Sequence, residues 1–354
     1  MQLSSWMVDG VGQPMRLERR EEQPGAGDVI VAVAGCGVCH TDLGFFYDGV
    51  PTRHAFPLTL GHEISGNVVE AGAGAEDWLG RAVVVPAVLP CGECAACRAG
   101  RGPICPRQVF PGCDVHGGFA SHVRVPSRGL CAVPRERLAA AGLELASLAV
   151  IADAVSTPYQ AILRSGLAAG ELAVFVGVGG VGGFGVQIAA ALGACVVAID
   201  VEQDRLLGIA PYGAALTLDA TALDPKQLRR KVRELGDARG IPTWRTRIFE
   251  TSGTPAGQAT AFGLLGHGSL LSVVGFTPKP VELRLSNLMA FDAVAQGNWA
   301  CLPEHYPAVL ELVLSGRLAL RPFVEHRSLG QINDVFAELH QGGGPRRIVL
   351  IPES

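Results

Sequence analysis

A chain of 354 residues is long enough for about two domains, each with its own core. A formal net charge of -4 and a pI of about 6.1, with no basic run, argue against a nucleic-acid binder. The start, Met1-Gln-Leu-Ser-Ser-Trp6, lacks a cationic stretch followed by an apolar segment, so no signal peptide and a reducing cytoplasm are expected, where ten cysteines serve as metal ligands or core thiols.

In chain order, Val29–Ala34 reads as a strand after the turn-like Pro24–Asp28. Short β segments follow at 64–70, 82–88 and 120–125, with no sustained helical periodicity. Between them lie Cys39-His40-Thr41-Asp42 and Gly61-His62-Glu63. Next comes Cys91-x-x-Cys94-x-x-Cys97-x7-Cys105. Four soft ligands at such short spacings wrap one tetrahedral ion, a closed structural zinc site. A redox dithiol would leave the third and fourth cysteines unexplained. Cys36, Cys113, Cys131, Cys195 and Cys301 have no motif context and read as structural thiols. Ser156-Thr157-Pro158 predicts a helix start, with Ser156 as the N-cap.

Residues 171–200 read as a buried strand, a glycine turn, a helix and a second strand ending in an acid. Gly177-Val178-Gly179-Gly180-Val181-Gly182 sits where strand meets helix, so the backbone turns tightly and a pyrophosphate reaches the helix N-terminus. Asp200 follows about 20 residues on, as a ribose partner should. Leu172–Ile199 carries no charge, as a membrane span would, but its glycines and β-branched ends fit a parallel strand buried on both faces. Further strands at 247–253 and 269–275 imply a doubly wound parallel sheet. An apolar helix at 307–314 and a closing strand at 346–351 end the chain.

In this order, Cys-His-Thr-Asp, Gly-His-Glu, the four-cysteine lobe and the glycine turn make the chain resemble the zinc-dependent, medium-chain alcohol dehydrogenase family over nearly its whole length. The resemblance implies an α/β protein with a β-rich GroES-like catalytic domain, residues 1–153 and 300–354, and a Rossmann domain, 154–299, that binds NAD. It implies two zinc ions per chain. Cys39 and His62 would hold the catalytic ion, with Asp153 where relatives usually carry a cysteine. Glu63 would enter when the open position is empty. Thr41 would bond the substrate oxygen and pass its proton on. Gly44 stands where relatives often end that relay on a histidine, and His54 is an alternative. His40 would contact a cofactor phosphate, Arg205 the adenosine ribose, and the backbone at Val274-Gly275-Phe276 the nicotinamide amide. Asp200 favours NAD over NADP, because a 2′-phosphate there would meet a negative charge.

The reaction so implied is oxidation of a secondary alcohol in a cleft between the two domains. Leu3–Met7, Gly35–Leu43 and Ala152–Gln160 look most like members acting on a cyclic hydroxy-enoyl-CoA. The rival readings are a general alcohol or enone oxidoreductase and a non-enzymatic sensor that binds NAD and zinc. Relatives assemble as dimers or tetramers, so a homo-oligomer is expected.

Overall fold

The computed structural model describes residues 1–344 and 346–353. The chain divides into two compact units. One comprises Met1–Ser156, Ala300–Gly316 and the segment from Leu320; the other comprises Thr157–Trp299 and Arg317–Ala319.

The first unit is built on a mixed sheet around the strand Asp28–Gly37. Val29, Ile30 and Val31 in it are fully buried, as β-branched residues on a pleated surface should be. This strand runs antiparallel to Glu63–Ala71, with Gly37 opposite Glu63 and Cys36 opposite Ile64. It also pairs with His122–Pro126 and with the closing strand Arg347–Ile351, where Gly37 faces Val349. Those registers bring the chain just after Gly37, the chain just before Glu63 and the start of the last strand to one end of the sheet. The strand expected at 82–88 stops at Val85, because Pro86 has no N–H for the ladder. The strand expected at 120–125 runs His122–Pro126, and Ala120 makes only an isolated bridge to Ser5.

Helices also occur where no helical period is visible in the sequence. His40–Tyr47 buries Asp42 through Phe46 in succession, so it shows no amphipathic stripe. Ala146–Ala152 is a 3₁₀ run, fully buried, that leads toward the helix Ser156–Ser165. Ser156 is the first helical residue, not an N-cap. A turn over residues 153–155 separates it from the 3₁₀ run, and the Ser156 hydroxyl bonds back to the Ala152 carbonyl at 3.2 Å. The helical stretch Ala146–Ser165 is long and apolar enough to cross a membrane, yet 83% of its most apolar window is buried inside the protein.

The second unit carries six parallel strands: Leu172–Val176, Cys195–Asp200, Leu216–Asp219, Thr246–Glu250, Leu270–Val273 and Val294–Gly297. Counted one to six in chain order, they lie 3-2-1-4-5-6, the doubly wound order with its switch point between strands one and four. The apolar stretch 172–199 is strand, helix Gly180–Ala191 and strand. Phe175 and Phe249 stack across strands one and four, with ring centroids 4.7 Å apart. Both strands end at the switch point, one running into Gly177 and the other into Thr251.

Candidate functional site

Cys39, His62, Glu63 and Asp153 come together at the end of the first unit's sheet, with ligand atoms all within 4.8 Å of one another. Cys39 Sγ and His62 Nε2 each lie 3.6 Å from Asp153 Oδ2. Tetrahedral zinc bonds of about 2.0–2.3 Å put neighbouring ligand atoms roughly 3.5 Å apart, so this donor set fits a zinc ion. One thiolate and one carboxylate would also balance its charge. Thr41 Oγ1 is 3.7 Å from Cys39 Sγ, one helical residue into His40–Tyr47. His40 is exposed at the first position of that helix. His54 keeps its Nδ1 on the Ala55 carbonyl, 2.6 Å away.

Asp42 organises this cluster. It is the third residue after the N-cap Cys39, and its Oδ2 accepts the Cys39 backbone N–H at 2.9 Å. Its Oδ1 accepts the Gly61 N–H at 3.1 Å and stands 3.4 Å from His62 Nδ1, out of line for a hydrogen bond. One buried carboxylate thus ties the Cys39 turn to the Gly61 backbone next to His62 and sets a negative charge beside His62 Nδ1. Burial works against charge on His62, but Asp42, Asp153 and Cys39 outweigh it and hold its pKa well above the ordinary value. A pocket that attracts a proton this way attracts a metal cation too.

Glu63 is fully buried and already partnered. Arg347 donates Nε to its Oε2 at 3.0 Å and Nη2 to its Oε1, which also accepts the Ala154 N–H at 3.1 Å. Burial raises the Glu63 pKa, and Arg347 pulls it back. Gly37 has no Cβ for a reason: one there would meet Glu63 Oε2 at 2.0 Å. Sequence reasoning gave Asp42 no role and read Arg347 only as part of a closing strand. The signals were present: an acid three residues after the cap, and a charge opening an otherwise apolar strand.

The second cluster is Cys91, Cys94, Cys97 and Cys105. Sulfur separations of 3.4 Å for 94–97, 3.7 Å for 94–105 and 3.9 Å for 91–97 exclude disulfides and match the roughly 3.8 Å of a tetrahedral thiolate cage. All ten cysteines are free. Backbone N–H groups aim at the sulfurs, from Cys91 and Arg107 to Cys105 and from Cys97 to Cys94. Backbone donors, the Glu93 N–H first, draw Cys91 down to about 6. Burial and the neighbouring thiols push Cys97 up to about 12.

In the second unit the glycine turn brings strand, loop and helix backbones into close contact. Gly177 has φ +88, and a Cβ on it would meet Ser252 Cα at 2.5 Å. A Cβ on Gly182 would meet the Gly177 carbonyl oxygen at 1.9 Å, so the helix packs this close only with glycine there. Gly179 is the N-cap, no side chain caps the helix, and a Cβ on Gly179 would find nothing nearer than Arg205 at 3.7 Å. Gly180 and Val181 open the helix with their N–H groups toward that space. Asp200 is 5% exposed; its carboxylate accepts the Val178 N–H at 2.6 Å and those of Val201 and Glu202 at 2.8 and 3.0 Å. Arg205 Nη1 lies 3.8 Å from Asp200 Oδ1. Val274 and Gly275 both donate backbone N–H groups to the Glu250 carbonyl, and Phe276 beyond them is exposed.

A doubly wound parallel sheet with a glycine turn, in one chain with a buried donor cluster that could hold a metal and a four-thiol cage, fits a metal-dependent oxidoreductase. Residues 25–135 match the alcohol dehydrogenase GroES-like domain, and residues 180–315 match the zinc-binding dehydrogenase domain. The chain is 30% identical over 342 residues to 2-dehydro-3-deoxy-L-galactonate 5-dehydrogenase from Pseudoalteromonas atlantica, covering 93% of this chain and 92% of that one. It is 29% identical over 327 residues to an alcohol dehydrogenase from Geobacillus stearothermophilus, covering 92% and 91%. Its fold matches the crystal structure of the alcohol dehydrogenase from the archaeon Aeropyrum pernix with a TM-score of 0.86 at 30% identity, over 99% of this chain and 100% of that one. The chain belongs to the zinc-dependent medium-chain alcohol dehydrogenase family and is an oxidoreductase acting on CH–OH groups.

Proposed function

We propose that the protein catalyses the reversible, zinc-dependent oxidation of a secondary alcohol to a ketone with NAD. The observation that carries this reading is the convergence of Cys39 Sγ, His62 Nε2 and Asp153 Oδ2 at metal-ligand separations. When bound, zinc supplies a Lewis acid for the substrate oxygen, and the nicotinamide supplies the hydride acceptor.

The chain's own residues do the rest. Cys39 and Asp153 bring negative charge to the ion, and Asp42 sets a negative charge beside His62 Nδ1. Thr41 accepts the proton of the substrate hydroxyl and passes it outward; Gly44 offers no side chain to continue the relay, so water or the cofactor ribose takes it. Glu63, locked by Arg347, is held in reserve for the metal. Gly179, Gly180, Val181 and Gly182 present backbone to the pyrophosphate, and His40 adds a contact to it. Asp200 still has lone pairs for ribose hydroxyls. Its carboxylate disfavours a 2′-phosphate, which supports NAD over NADP, although Arg205 3.8 Å away offsets part of that charge. Val274 and Phe276 border the nicotinamide amide.

A secondary hydroxyl is supported by the P. atlantica relative, whose name places oxidation at carbon 5, inside a carbon chain. The finer reading is 6-hydroxycyclohex-1-ene-1-carbonyl-CoA, oxidised to the 6-oxo enone in anaerobic benzoyl-CoA breakdown. It is supported by Leu3–Met7, Gly35–Leu43 and Ala152–Gln160 alone. The second reading is a general alcohol dehydrogenase, which the names of the relatives favour, or an enone reductase of the same family. We place the enzyme in the cytoplasm as a homodimer or tetramer. Val294 on the edge strand of the parallel sheet, with Leu285 and Met289 nearby in sequence, leaves apolar surface for a second copy.

A panel of the CoA ester, cyclic alcohols and polyols, each with NAD and NADP, tests these readings. The CoA ester should show the highest kcat/KM, with NAD. Preference for a free alcohol overturns the thioester reading. No turnover with any alcohol in a protein holding two zinc ions overturns the enzymatic one.

A further inference from the structure

We propose that Tyr306 is a positioning residue for the third metal ligand, acting on Asp153 through the backbone that carries it. This rests on the reading of Cys39, His62 and Asp153 as a zinc site. Asp153 ends the 3₁₀ run Ala146–Ala152, so the break in the helical ladder falls on the ligand itself. Two anchors hold the peptides on either side of it. The Ala154 N–H donates to Glu63 Oε1 at 3.1 Å. The Ala152 carbonyl accepts the Tyr306 hydroxyl at 2.5 Å, and Ser156 Oγ and the Ala87 N–H stand 3.2 and 3.3 Å from the same oxygen.

Tyr306 is distant in sequence and fully buried, the first residue of the helix Tyr306–Leu314. Its hydroxyl has no solvent. It donates to Ala152 and accepts from the Ala87 N–H at 3.3 Å and from Ser156 Oγ at 3.2 Å. Packing alone does not need that oxygen, because phenylalanine fills the same space without a polar group to desolvate. What the hydroxyl adds is aim. Metal sites tolerate only about 0.2 Å in ligand distance. A small shift of the 152–153 peptide therefore moves Oδ2 out of step with Cys39 Sγ and His62 Nε2. Glu63 on one side and Tyr306 on the other make Asp153 a clamped ligand although it sits at the end of a helical run.

The test is Tyr306→Phe, with zinc counted per chain during dialysis against graded chelator and with the absorption spectrum of the cobalt-substituted protein. The Cys91–Cys105 cage serves as the internal control. Loss of such an outer contact typically weakens metal affinity about 10-fold or more. The variant should therefore release one zinc at roughly tenfold lower chelator, keep the other, and shift the cobalt d–d bands. Excess zinc should restore its turnover. Release of that zinc at the wild-type chelator concentration with an unchanged cobalt spectrum overturns the proposal. So does loss of both ions together, which would make the hydroxyl a support of the whole unit. A wild-type protein holding one zinc refutes the metal reading beneath it, a result distinct from either.

Discussion

Replacing Arg347 with Met should damage the first unit far more than removal of a surface charge would. In the wild type, Glu63 is fully buried and the Arg347 side chain is 7% exposed, with Nε 3.0 Å from Oε2. Taking Arg347 away leaves Glu63 with one donor, the Ala154 N–H. An uncompensated buried charge costs about 3–5 kcal/mol. For a unit of this size, each kcal/mol is worth about 2–4 °C, so the melting temperature should fall by about 10 °C. The damage comes from the stranded carboxylate, not from the lost attraction. Adding Glu63→Gln should therefore recover more than half of the loss, because a neutral amide needs no counter-charge. Scanning calorimetry on the wild type, the single variant and the double variant reads this directly. A drop of less than about 2 °C for Arg347→Met, or no recovery in the double variant, would refute the reasoning.

Three further outcomes follow from the same geometry. Cys97→Ser should lower zinc from two ions per chain to one and reduce the melting temperature, measured by metal analysis and calorimetry; two retained ions would contradict the cage. Asp200→Ala removes a carboxylate beside the glycine turn, and charged hydrogen bonds of about 1.5–3 kcal/mol predict a 10- to 100-fold rise in KM for NAD with NADP gaining relative to it; an unchanged preference would remove Asp200 from the ribose. Burial lowers the His116 pKa to about 4, and its Nδ1 stands 3.2 Å from the Thr59 N–H, which it accepts in the neutral form. A histidine depressed below its ordinary 6.5 adds stability at neutral pH that is lost as pH falls through that window toward 4. His116→Gln should flatten that part of an acid unfolding curve followed by circular dichroism, and an identical curve would contradict it.

The parts of this protein that a linear reading reaches are those whose partners lie close along the chain. The four-thiol cage closes within 15 residues, so spacing alone predicts its geometry. The turn from Gly177 to Gly182 is equally local: strand, turn and helix follow one another, and glycine is the only residue that lets the backbones touch there. Short helices escaped, because His40–Tyr47 buries five successive residues and so has no polar stripe to set a period. Ser156 carries the signature of a cap, yet it is itself the first helical residue and its hydroxyl turns back on the Ala152 carbonyl.

The mixed-donor cluster divides differently. Motif order named Cys39, His62 and Asp153 as ligands, but their meeting depends on the register that sets Gly37 opposite Glu63 and on a helical run arriving from 114 residues past Cys39. The surrounding groups carry at most a faint linear signature, and none that names their partners. Asp42 shares its carboxylate between two turns, Arg347 enters on the last strand, and Tyr306 arrives from the helix after the parallel sheet. Sequence by itself determined which donors and which glycines exist and the two periodic architectures that carry them. Only the tertiary structure decided which buried charge faces which partner, because desolvated groups select one another by distance through space and not by separation along the chain.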